Sequence, residues 1–333
     1  MFREMKKLRV AIVDFAHDEG YLTERLLGFV SDQYEFEQTE DNPDFVLHSC
    51  FGRDVLKFDG VRIFFSAENC SPDFNISDYA LGMERMTFGD RFFRLPLYRL
   101  YSNTYPALLK PRLTEDSQRS EFCTCVVSNS EREAVFTELF QELSAYRRVA
   151  SGGGLFNNVG GRVPDKVEFM RSGRFGLAIE NTMAPGYITE KITDVFAAGA
   201  IPIYWGAPDI SLDFNPKAFV NVADFLSVKD AVKEIKAIDQ DEDRYRAMLT
   251  EPVFAEGAEP DTLKADHIAE FLCSIFDAPC EAAFRRNRMA RGRRYEKALL
   301  TAFFKPHVQA SRLFRSWARG LRNSRTFVPP PLS

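Results

Sequence analysis

The sequence predicts an α/β protein of two Rossmann-like domains that face each other across a cleft, followed by a basic amphipathic helical tail. Three observations support this prediction. Strand-like apolar runs alternate with polar or helical stretches, and this alternation is typical of a parallel sheet in an α/β protein. The chain has 333 residues, of which 45% are hydrophobic, and this is enough for two cores of ordinary size. Its basic residues are concentrated at the carboxyl end.

The first domain is predicted over residues 1–116. Its strands are the apolar runs LRVAIVDF, DFVLHSCF and GVRIFFSAEN, which cover residues 8–15, 44–51 and 60–69. No Gly-x-Gly-x-x-Gly follows the first of these runs, which argues against a protein that binds NAD. The segment KPRLTEDSQRS, residues 110–120, is predicted to link the two domains.

The second domain is predicted over residues 117–295. Its strands are EFCTCVVSN, RFGLAIEN, GAIPIYWG and AFVNVADF, which cover residues 121–129, 174–181, 199–206 and 218–225. Ligands of such sheets bind outside the carboxyl ends of the strands. The cleft between the two domains is therefore the predicted ligand site.

One helix of the second domain is predicted in detail, over residues 188–198 and ended by Gly199. Four apolar residues at i, i+4, i+7 and i+8 give it one buried face: Ile188, Ile192, Val195 and Phe196. Its first turn presents free N–H groups and the positive end of the helix dipole, which suits a phosphate, and Lys191 adds a full charge there. Glu190 could accept hydrogen bonds from ribose hydroxyls. The pair fits a nucleoside diphosphate, although spacing alone favours an ordinary exposed charged pair.

The charge is divided unevenly along the chain. Residues 281–333 hold thirteen Lys and Arg against two Glu, in a chain whose net charge is −5. In the tail, residues 296–333, one helical face is apolar and another is basic: Leu313, Phe314, Trp317 and Leu321, against Arg312, Arg315, Arg319 and Arg322. Such a helix indicates binding to an anionic membrane surface, with packing on the body as the alternative. No nucleic-acid motif accompanies the charge, so nucleic acid is not an expected partner.

The expected location is cytoplasmic, peripheral on the inner face of the cell membrane. No stretch reaches the roughly 18 uncharged apolar residues that a spanning helix needs. The start, MFREMKKLRVAIVDF, lacks a hydrophobic segment of the secretory kind. In this compartment the six cysteines are predicted to stay reduced: Cys50, Cys70, Cys123, Cys125, Cys273 and Cys280.

No metal site is predicted. Asp239 and Asp241 form an Asp-x-Asp pair in AIDQDEDRYRAML, but they lie between two helical stretches and are interpreted as a solvated capping segment. Two pairs of potential ligands lie two residues apart on predicted strands without a second pair, as core residues do: His48 with Cys50, and Cys123 with Cys125. A divalent metal is therefore expected to be at most stimulatory.

Four stretches of the sequence carry a resemblance to a known family. They are RFGLAIENTMAPGYITEKITDVFAAGAIPIYWGAPDISLDFNPKAFVNVADF (174–225), FFSAENCSPDFNISDYALGMERMTFGDRFFRLPLY (64–98), CVVSNSEREAVF (125–136) and SGGGLFNNVGGRV (151–163). The first resembles the donor-binding signature of the α-1,3-fucosyltransferases, glycosyltransferase family 10, and the second resembles their acceptor-side segment. The other two resemble the stretches that join these regions in that family.

The resemblance implies a GT-B architecture and inverting chemistry without an obligatory metal. Inversion in a single displacement requires a base that takes the proton from the acceptor hydroxyl. Glu68, at the carboxyl end of the strand RIFFSA, matches the residue that serves as this base in the family. Asp73 and Asp78 are the fallback candidates, and with Asn75 they are expected to form turn and cap hydrogen bonds.

The resemblance also implies a donor site for GDP-fucose. Arg132, in the loop after the first strand of the second domain, matches the diphosphate-binding arginine of the family, and a planar guanidinium can bind two oxygens at once. Lys191 would offset the charge that grows on the diphosphate, and Glu190 would hold the ribose. Three further residues are implied in contacts with the diphosphate or the sugar: Glu180, Asn181 and Tyr187.

The expected reaction is transfer of L-fucose from GDP-β-L-fucose to the 3-hydroxyl of GlcNAc in a Galβ1,4-GlcNAc-type acceptor, which gives a Lewis X-like product. The resemblance to the bacterial members of the family, whose acceptors are surface glycans built on lipid carriers, implies a lipid-linked acceptor as one expected partner. Two alternatives stay open: a transferase for another GDP-sugar or for an α-1,4 linkage, and a non-catalytic nucleotide-sugar binding protein.

Overall fold

Eleven β-strands form the framework of the part of the protein that the structure describes. The computed structural model describes residues 5–16, 20–101, 103–112, 119–128, 134–286 and 290–304. The first sheet contains β1 (Lys6–Val13), β2 (Tyr34–Gln38), β3 (Phe45–His48), β4 (Val61–Phe65), β5 (Tyr79–Gly82) and β6 (Phe92–Arg94). The second sheet contains β7 (Glu121–Cys125), β8 (Val149–Ser151), β9 (Gly173–Ile179), β10 (Ile201–Trp205) and β11 (Val220–Asn221).

The helices lie between these strands and after them. The first six are α1 (Gly20–Gly28), α2 (Leu97–Tyr101), α3 (Tyr105–Leu108), α4 (Ala134–Tyr146), α5 (Lys166–Arg171) and α6 (Glu190–Ala197). The remaining five are α7 (Val228–Gln240), α8 (Glu242–Thr250), α9 (Ala265–Phe276), α10 (Cys280–Ala283) and α11 (Ala290–Phe304).

Both sheets are doubly wound. In each one the second strand in the chain lies at one edge, beside the first strand, and the third and later strands follow on the other side of the first. The first is ordered β2-β1-β3-β4-β5-β6 and the second β11-β10-β9-β7-β8, and the described strand pairs are parallel. The strand order therefore reverses between β1 and β3 in the first sheet and between β7 and β9 in the second. Ligands bind outside the carboxyl ends of the strands at such a point. The predicted architecture of two Rossmann-like domains is confirmed.

The strand predictions differ from the structure in two respects. β2, β5, β6 and β8 are not predicted, and the strand predicted over residues 218–225 shrinks to the two residues of β11. The Asn221 side chain accepts a hydrogen bond from the Ala223 N–H at 3.3 Å and donates one to Asp224 Oδ1 at 2.8 Å. These bonds turn the chain into a 3-10 helix at Val222–Asp224, which ends the strand early.

The chain crosses between the two sheets twice. Helices α2 and α3 contact α6 of the second domain, where Tyr98 and Tyr105 are buried. Helix α9 later returns to the first sheet, and its residues Ile268, Leu272 and Phe276 lie in the core of that sheet. The packing therefore does not follow the predicted domain limits at residues 116 and 295. Both faces of a parallel sheet need apolar cover, and here each sheet takes part of that cover from the other half of the chain.

Helix α11 includes the first nine residues of the segment predicted as a basic tail. Leu299 and Leu300 pack against a small apolar cluster on the first sheet, and Glu296 forms an ion pair with the buried Arg62. This part of the tail packs on the body. The residues of its predicted apolar and basic faces lie outside the described part of the chain. Where the chain is described, none of its helices has both the length and the apolar character to span a bilayer.

Candidate active site

Helix α6 is held with its first turn at the carboxyl edge of the second sheet. It connects β9 to the neighbouring parallel strand β10. The four residues of its predicted apolar face are all buried: Ile188, Ile192, Val195 and Phe196. The helix begins at Glu190 after the extended Thr189, two residues later than predicted, and Gly199 turns the chain after it with a φ of 78°. The N–H groups of the first turn thus lie where a doubly wound sheet binds its ligand.

Glu180 lies directly after β9 and beneath this first turn, with 1% of its surface exposed. Its carboxylate accepts hydrogen bonds from the Thr189 N–H at 2.8 Å and from the Thr189 hydroxyl at 2.7 Å. Lys191 Nζ lies 3.2 Å from the same carboxylate and donates to the Thr189 hydroxyl at 2.9 Å. Glu180, predicted to contact the sugar, is therefore engaged inside the protein, where it fixes Thr189 and Lys191.

Glu190 lies between two lysines at the start of α6. Its Oε1 is 3.7 Å from Lys166 Nζ and 3.9 Å from Lys191 Nζ. Burial by itself would raise the pKa of Glu190, but the charges of Lys191 and Lys166 outweigh it and the pKa is lowered. Glu190 is thus held ionised as a hydrogen-bond acceptor, beside two cations that suit a diphosphate.

Lys166 and Asp194 belong to this cluster, and neither is among the residues predicted from the sequence. Lys166, at the start of α5, pairs with Asp194, which also accepts a hydrogen bond from the Thr104 hydroxyl at 3.0 Å. Burial raises the pKa of Asp194 despite the charge of Lys166. One signal was available in the sequence, because Asp194 follows Glu190 by one helical turn.

Glu68 lies on the first domain, three residues after the end of β4, and is exposed. Its backbone N–H donates to the Ser66 hydroxyl at 3.1 Å, and its carbonyl accepts from the Cys70 N–H at 2.7 Å. These backbone bonds fix the loop while the carboxylate itself bonds no group of the described residues. Such a carboxylate is accessible to an incoming hydroxyl, which is the geometric requirement for a general base.

The two domains meet beside Glu68 and α6. Gly186, with a φ of 76°, lies so close to the loop after β5 that a Cβ there would be 2.3 Å from the Met83 carbonyl oxygen. The N–H of Gly186 donates to Asp209 Oδ1 at 2.8 Å, and Asp209 in turn pairs with Arg85. Because β5 neighbours β4, this contact brings the segment that leads into α6 next to the strand end that carries Glu68.

The other three predicted donor-site residues differ in their surroundings. Tyr187 is 3% exposed and lies in the core of the first sheet, so its ring joins the domains and has little surface left for a ligand. Asn181 is exposed after the end of β9, next to the point where the strand order of the second sheet reverses. Arg132 lies outside the described residues.

The fallback carboxylates Asp73 and Asp78 have structural partners. Asp73 Oδ1 accepts from the Asn75 backbone N–H at 2.9 Å and from its side-chain amide at 2.8 Å, which is the predicted turn. Asp78 is fully buried before β5 and accepts from the backbone N–H of Arg62 at 2.8 Å and of Arg286 at 2.7 Å. It also pairs with the Arg286 guanidinium. These bonds leave Glu68 as the accessible carboxylate of the three.

The residues considered as metal ligands are engaged within the protein, and the described part of the chain shows no cluster of three or more potential ligands. Asp241 caps α8 as predicted, since it accepts from the Arg244 N–H at 3.0 Å. Asp239, in contrast, is not solvated: it is buried, with Arg147 Nη1 at 2.8 Å and Arg174 Nε at 3.1 Å. The neutral imidazole of His48 is buried with its Nε2 3.0 Å from the Ser77 hydroxyl.

Comparison with known proteins agrees with this geometry in both halves of the chain. Residues 10–101 match the family described as "Alpha-(1,3)-fucosyltransferase FucT N-terminal domain", and residues 116–274 match "Glycosyltransferase family 10 (fucosyltransferase) C-term". The chain is 31% identical over 285 residues to the alpha-(1,3)-fucosyltransferase FucT of Helicobacter pylori, which covers 73% of this chain. It spans 60% of the length of that relative.

Solved structures show the same relationship over most of the chain. A crystal structure of an alpha1,3-fucosyltransferase has a TM-score of 0.72 and 30% identity, and the match covers 82% of this chain and 91% of that one. A crystal structure of alpha1,3-fucosyltransferase with GDP-fucose has a TM-score of 0.72 and 28% identity, with coverage of 86% and 94%. The two doubly wound sheets are thus the GT-B fold, and the chain belongs to glycosyltransferase family 10, the fucosyltransferases.

Proposed function

We propose that this protein transfers L-fucose from GDP-β-L-fucose to the 3-hydroxyl of GlcNAc in a Galβ1,4-GlcNAc-type acceptor, with inversion and without a required metal. The observation that carries the proposal is the first turn of α6, with Lys191 and Lys166 around Glu190, at the carboxyl edge that borders the cleft. The exposed Glu68 belongs to the other domain at the same cleft. The related alpha1,3-fucosyltransferase that was crystallised with GDP-fucose supports the choice of donor.

The donor would bind across the edge of the second sheet. Its diphosphate would lie at the N-terminus of α6, where the helix dipole and Lys191 oppose its negative charge. The role of Arg132, which lies outside the described residues, rests on the resemblance of its motif to the diphosphate-binding arginine of the family. Glu190, held ionised, would accept hydrogen bonds from the ribose hydroxyls. Glu180 would act from beneath, because its bonds to Thr189 and Lys191 set the position of that lysine. Asn181 is placed to contact the diphosphate or the fucose.

The reaction would be a single displacement at C1 of fucose. Glu68 takes the proton of the 3-hydroxyl as that oxygen attacks C1, and the bond from C1 to the diphosphate oxygen breaks on the opposite face. The negative charge that develops on the leaving GDP is offset by the fixed cations around α6, which lowers the barrier. Because these cations and the helix dipole supply that stabilisation, the proposed mechanism does not route through a metal.

The first test is release of GDP from GDP-fucose by the purified protein in EDTA, with and without N-acetyllactosamine. We expect GDP only when acceptor is present. Glu68→Ala and Glu68→Gln should each lower kcat by about 10² to 10⁴-fold, as for a positioned general base, while leaving the affinity for GDP unchanged. Glu40→Gln, which removes an exposed carboxylate from the same domain, is the matched control and should keep wild-type turnover.

Each way in which this test could fail would contradict a different part of the proposal. Loss of turnover in EDTA that added Mn²⁺ restores would contradict the metal-free mechanism. Donor binding without turnover would reject the acceptor, and a glycan panel that includes Galβ1,3-GlcNAc would then detect an α-1,4 linkage. Absence of GDP-fucose binding would reject the donor, in favour of another GDP-sugar or of a non-catalytic role. Docking of the tail to an anionic membrane stays a prediction.

A further inference from the structure

A cavity of about 400 Å³ opens at the carboxyl edge of the first sheet, outside the residues assigned above to the reaction. It is lined by residues 50–54, which follow β3, and by Phe303 and Phe304 at the end of α11. The volume lies within the range of about 300 to 1,000 Å³ that small-molecule sites occupy. It also lies where the strand order of the first sheet reverses, between β1 and β3, which is where such a sheet binds ligands.

The loop of this cavity is held in one conformation. The Asp14 carboxylate, after β1, accepts from the backbone N–H groups of Asp54 at 2.8 Å and Val55 at 2.9 Å. A Cβ on Gly52 would lie 2.1 Å from Asp14 Oδ1, so this close approach depends on glycine. The cavity is therefore preorganised by bonds between two strand ends at the switch point.

The lining combines exposed aromatic rings with free hydrogen-bond donors. Phe51, Phe303 and Phe304 are 50%, 40% and 38% exposed. The Arg53 guanidinium stacks 3.6 Å from the centroid of the Phe303 ring, and its N–H groups donate to no protein group of the described chain. Sugar rings present apolar C–H faces together with hydroxyl groups. A concave site of aromatic faces and an available guanidinium fits both surfaces of a sugar better than it fits a lipid chain.

The cavity is connected to the loop of the proposed base. Cys50, which lines it, shares a hydrogen bond of 3.2 Å with the hydroxyl of Ser66. That hydroxyl accepts the N–H of Glu68 at 3.1 Å. Since β3 and β4 are adjacent strands, the strand that leads into the cavity loop lies one strand spacing, roughly 5 Å, from the strand that leads to Glu68. A glycan whose reacting sugar lies at Glu68 could therefore extend into the cavity.

We propose that this cavity is a subsite for the acceptor oligosaccharide, which binds sugar units beyond the one that receives fucose. Helix α11 completes the subsite with Phe303 and Phe304, and this gives the packed part of the tail a role in acceptor choice. The inference rests on the proposed function, because it assumes that the glycan reacts at Glu68.

The test compares N-acetyllactosamine with its trimer as acceptors. For the wild type we expect the KM of the trimer to be lower by about 3- to 10-fold, the range for stacking on aromatic rings. The double variant Phe303→Ala/Phe304→Ala should lose this advantage, with kcat and both the KM of N-acetyllactosamine and that of GDP-fucose within about 2-fold of wild type. Phe303→Tyr/Phe304→Tyr keeps the rings and should restore the advantage. Leu226→Ala, an exposed apolar residue of the second domain, is the control.

Three outcomes would overturn the subsite: no preference for the trimer in the wild type, a preference that survives the double alanine change, or an equal loss on both acceptors. If the wild type turns over neither acceptor, the proposed function fails, and a binding measurement decides the inference separately. Saturation-transfer NMR of the GDP-loaded protein should then show trimer signals that the double alanine variant lacks. A trimer that gives equal signals with both proteins rejects the subsite.

Discussion

Glu180 is the carboxylate around which the start of α6 is assembled. Its side chain has no exposed surface and bonds both Thr189 and Lys191. Changing it to Gln keeps an acceptor for the Thr189 N–H but removes the charge opposite Lys191. We expect Glu180→Gln to lower the free energy of unfolding by about 1–3 kcal/mol, measured by urea denaturation, because the partly buried ammonium of Lys191 loses the nearer of its two carboxylates.

The matched control is Glu242→Gln. Glu242 also pairs with a cation, Arg174 at 3.0 Å, but 46% of its side chain is exposed. Exposed pairs contribute less than about 1 kcal/mol, so this change should be nearly silent. Equal losses in the two variants would show that Glu180 is not the anchor of α6.

His48 makes the stability of the first domain sensitive to acid. Burial, with the nearby charges of Arg62 and Arg286, lowers its pKa from 6.5 to about 3. Between these two pKa values the unfolded chain binds a proton that the folded protein does not. The contribution of the neutral His48 to the free energy of unfolding is therefore fully present above pH 6.5 and is lost progressively as the pH falls below that value. We expect this group to contribute a slope of about 1.4 kcal/mol per pH unit in the free energy of unfolding.

The measurement is urea denaturation at several values between pH 6.5 and 4.5. His48→Gln, which can still hydrogen-bond Ser77 but does not titrate, should show a shallower loss of stability over this interval. Parallel profiles for the two proteins would mean that His48 is not the group responsible.

At the scale of elements, the two ends of helix α6 differ in their surroundings. Its N-terminus lies at the cleft, while at its C-terminus Arg119 donates to the Gly199 carbonyl at 2.6 Å and Arg112 to the Ala200 carbonyl at 3.1 Å. Two guanidiniums at the negative end of a helix dipole are stabilising. The helix can therefore present its positive end to a ligand while its other end is fixed by the protein.

Gly186 sets how closely the segment before α6 approaches the first domain. Its φ is 76°, and an added Cβ would meet the Met83 carbonyl oxygen at 2.3 Å. Gly257 has a similar φ of 74° but no atom within 4 Å of such a Cβ, so Gly257→Ala isolates the backbone strain. That strain costs about 1–2 kcal/mol. We expect Gly186→Ala to lower the free energy of unfolding by at least about 1 kcal/mol more than Gly257→Ala does, because the added methyl group also overpacks the contact with Met83.

Urea denaturation of both glycine variants, with calorimetric titration of GDP, checks this. Gly186→Ala should also weaken GDP binding, because the added methyl group displaces the start of α6, whereas Gly257→Ala should not. Equal stability losses with unchanged GDP affinity would contradict a close contact between the domains at this point.

At the scale of the whole molecule, the first domain is completed by residues from the far end of the chain. Phe276 is fully buried, with its ring centroid 4.9 Å from that of Phe45 and 5.4 Å from that of Tyr34. Phe276→Ala should therefore lower the stability of the first domain by about 3–5 kcal/mol. Urea unfolding measures this loss, and Leu212→Ala, at an exposed position, should change it by less than about 0.5 kcal/mol. A silent Phe276→Ala would refute the crossing of α9.

The shared strand order of the two sheets explains where chemistry is concentrated. In each sheet the carboxyl ends at or near the reversal carry the candidate residues: Asn181 and the start of α6 in the second, and in the first the cavity loop after β3 and Glu68 after the neighbouring strand β4. The contact at Gly186 holds these two edges together, so that under the proposed function donor and acceptor would meet in one cleft.

The sequence by itself determined the rhythm of parallel strands, the buried face of α6, the left-handed glycine after it and the motifs around Glu68 and Glu190. These features depend on periodicity and short spacing, which local sequence carries. Only the tertiary structure decided that Tyr187 lies in the first core, that Glu180 is internal, that Asp239 forms buried ion pairs and that α9 and α11 cover the first sheet. Those outcomes depend on contacts between residues far apart in the chain. The periodicity of a local segment shows which of its faces is apolar, but it does not show which distant element packs against that face.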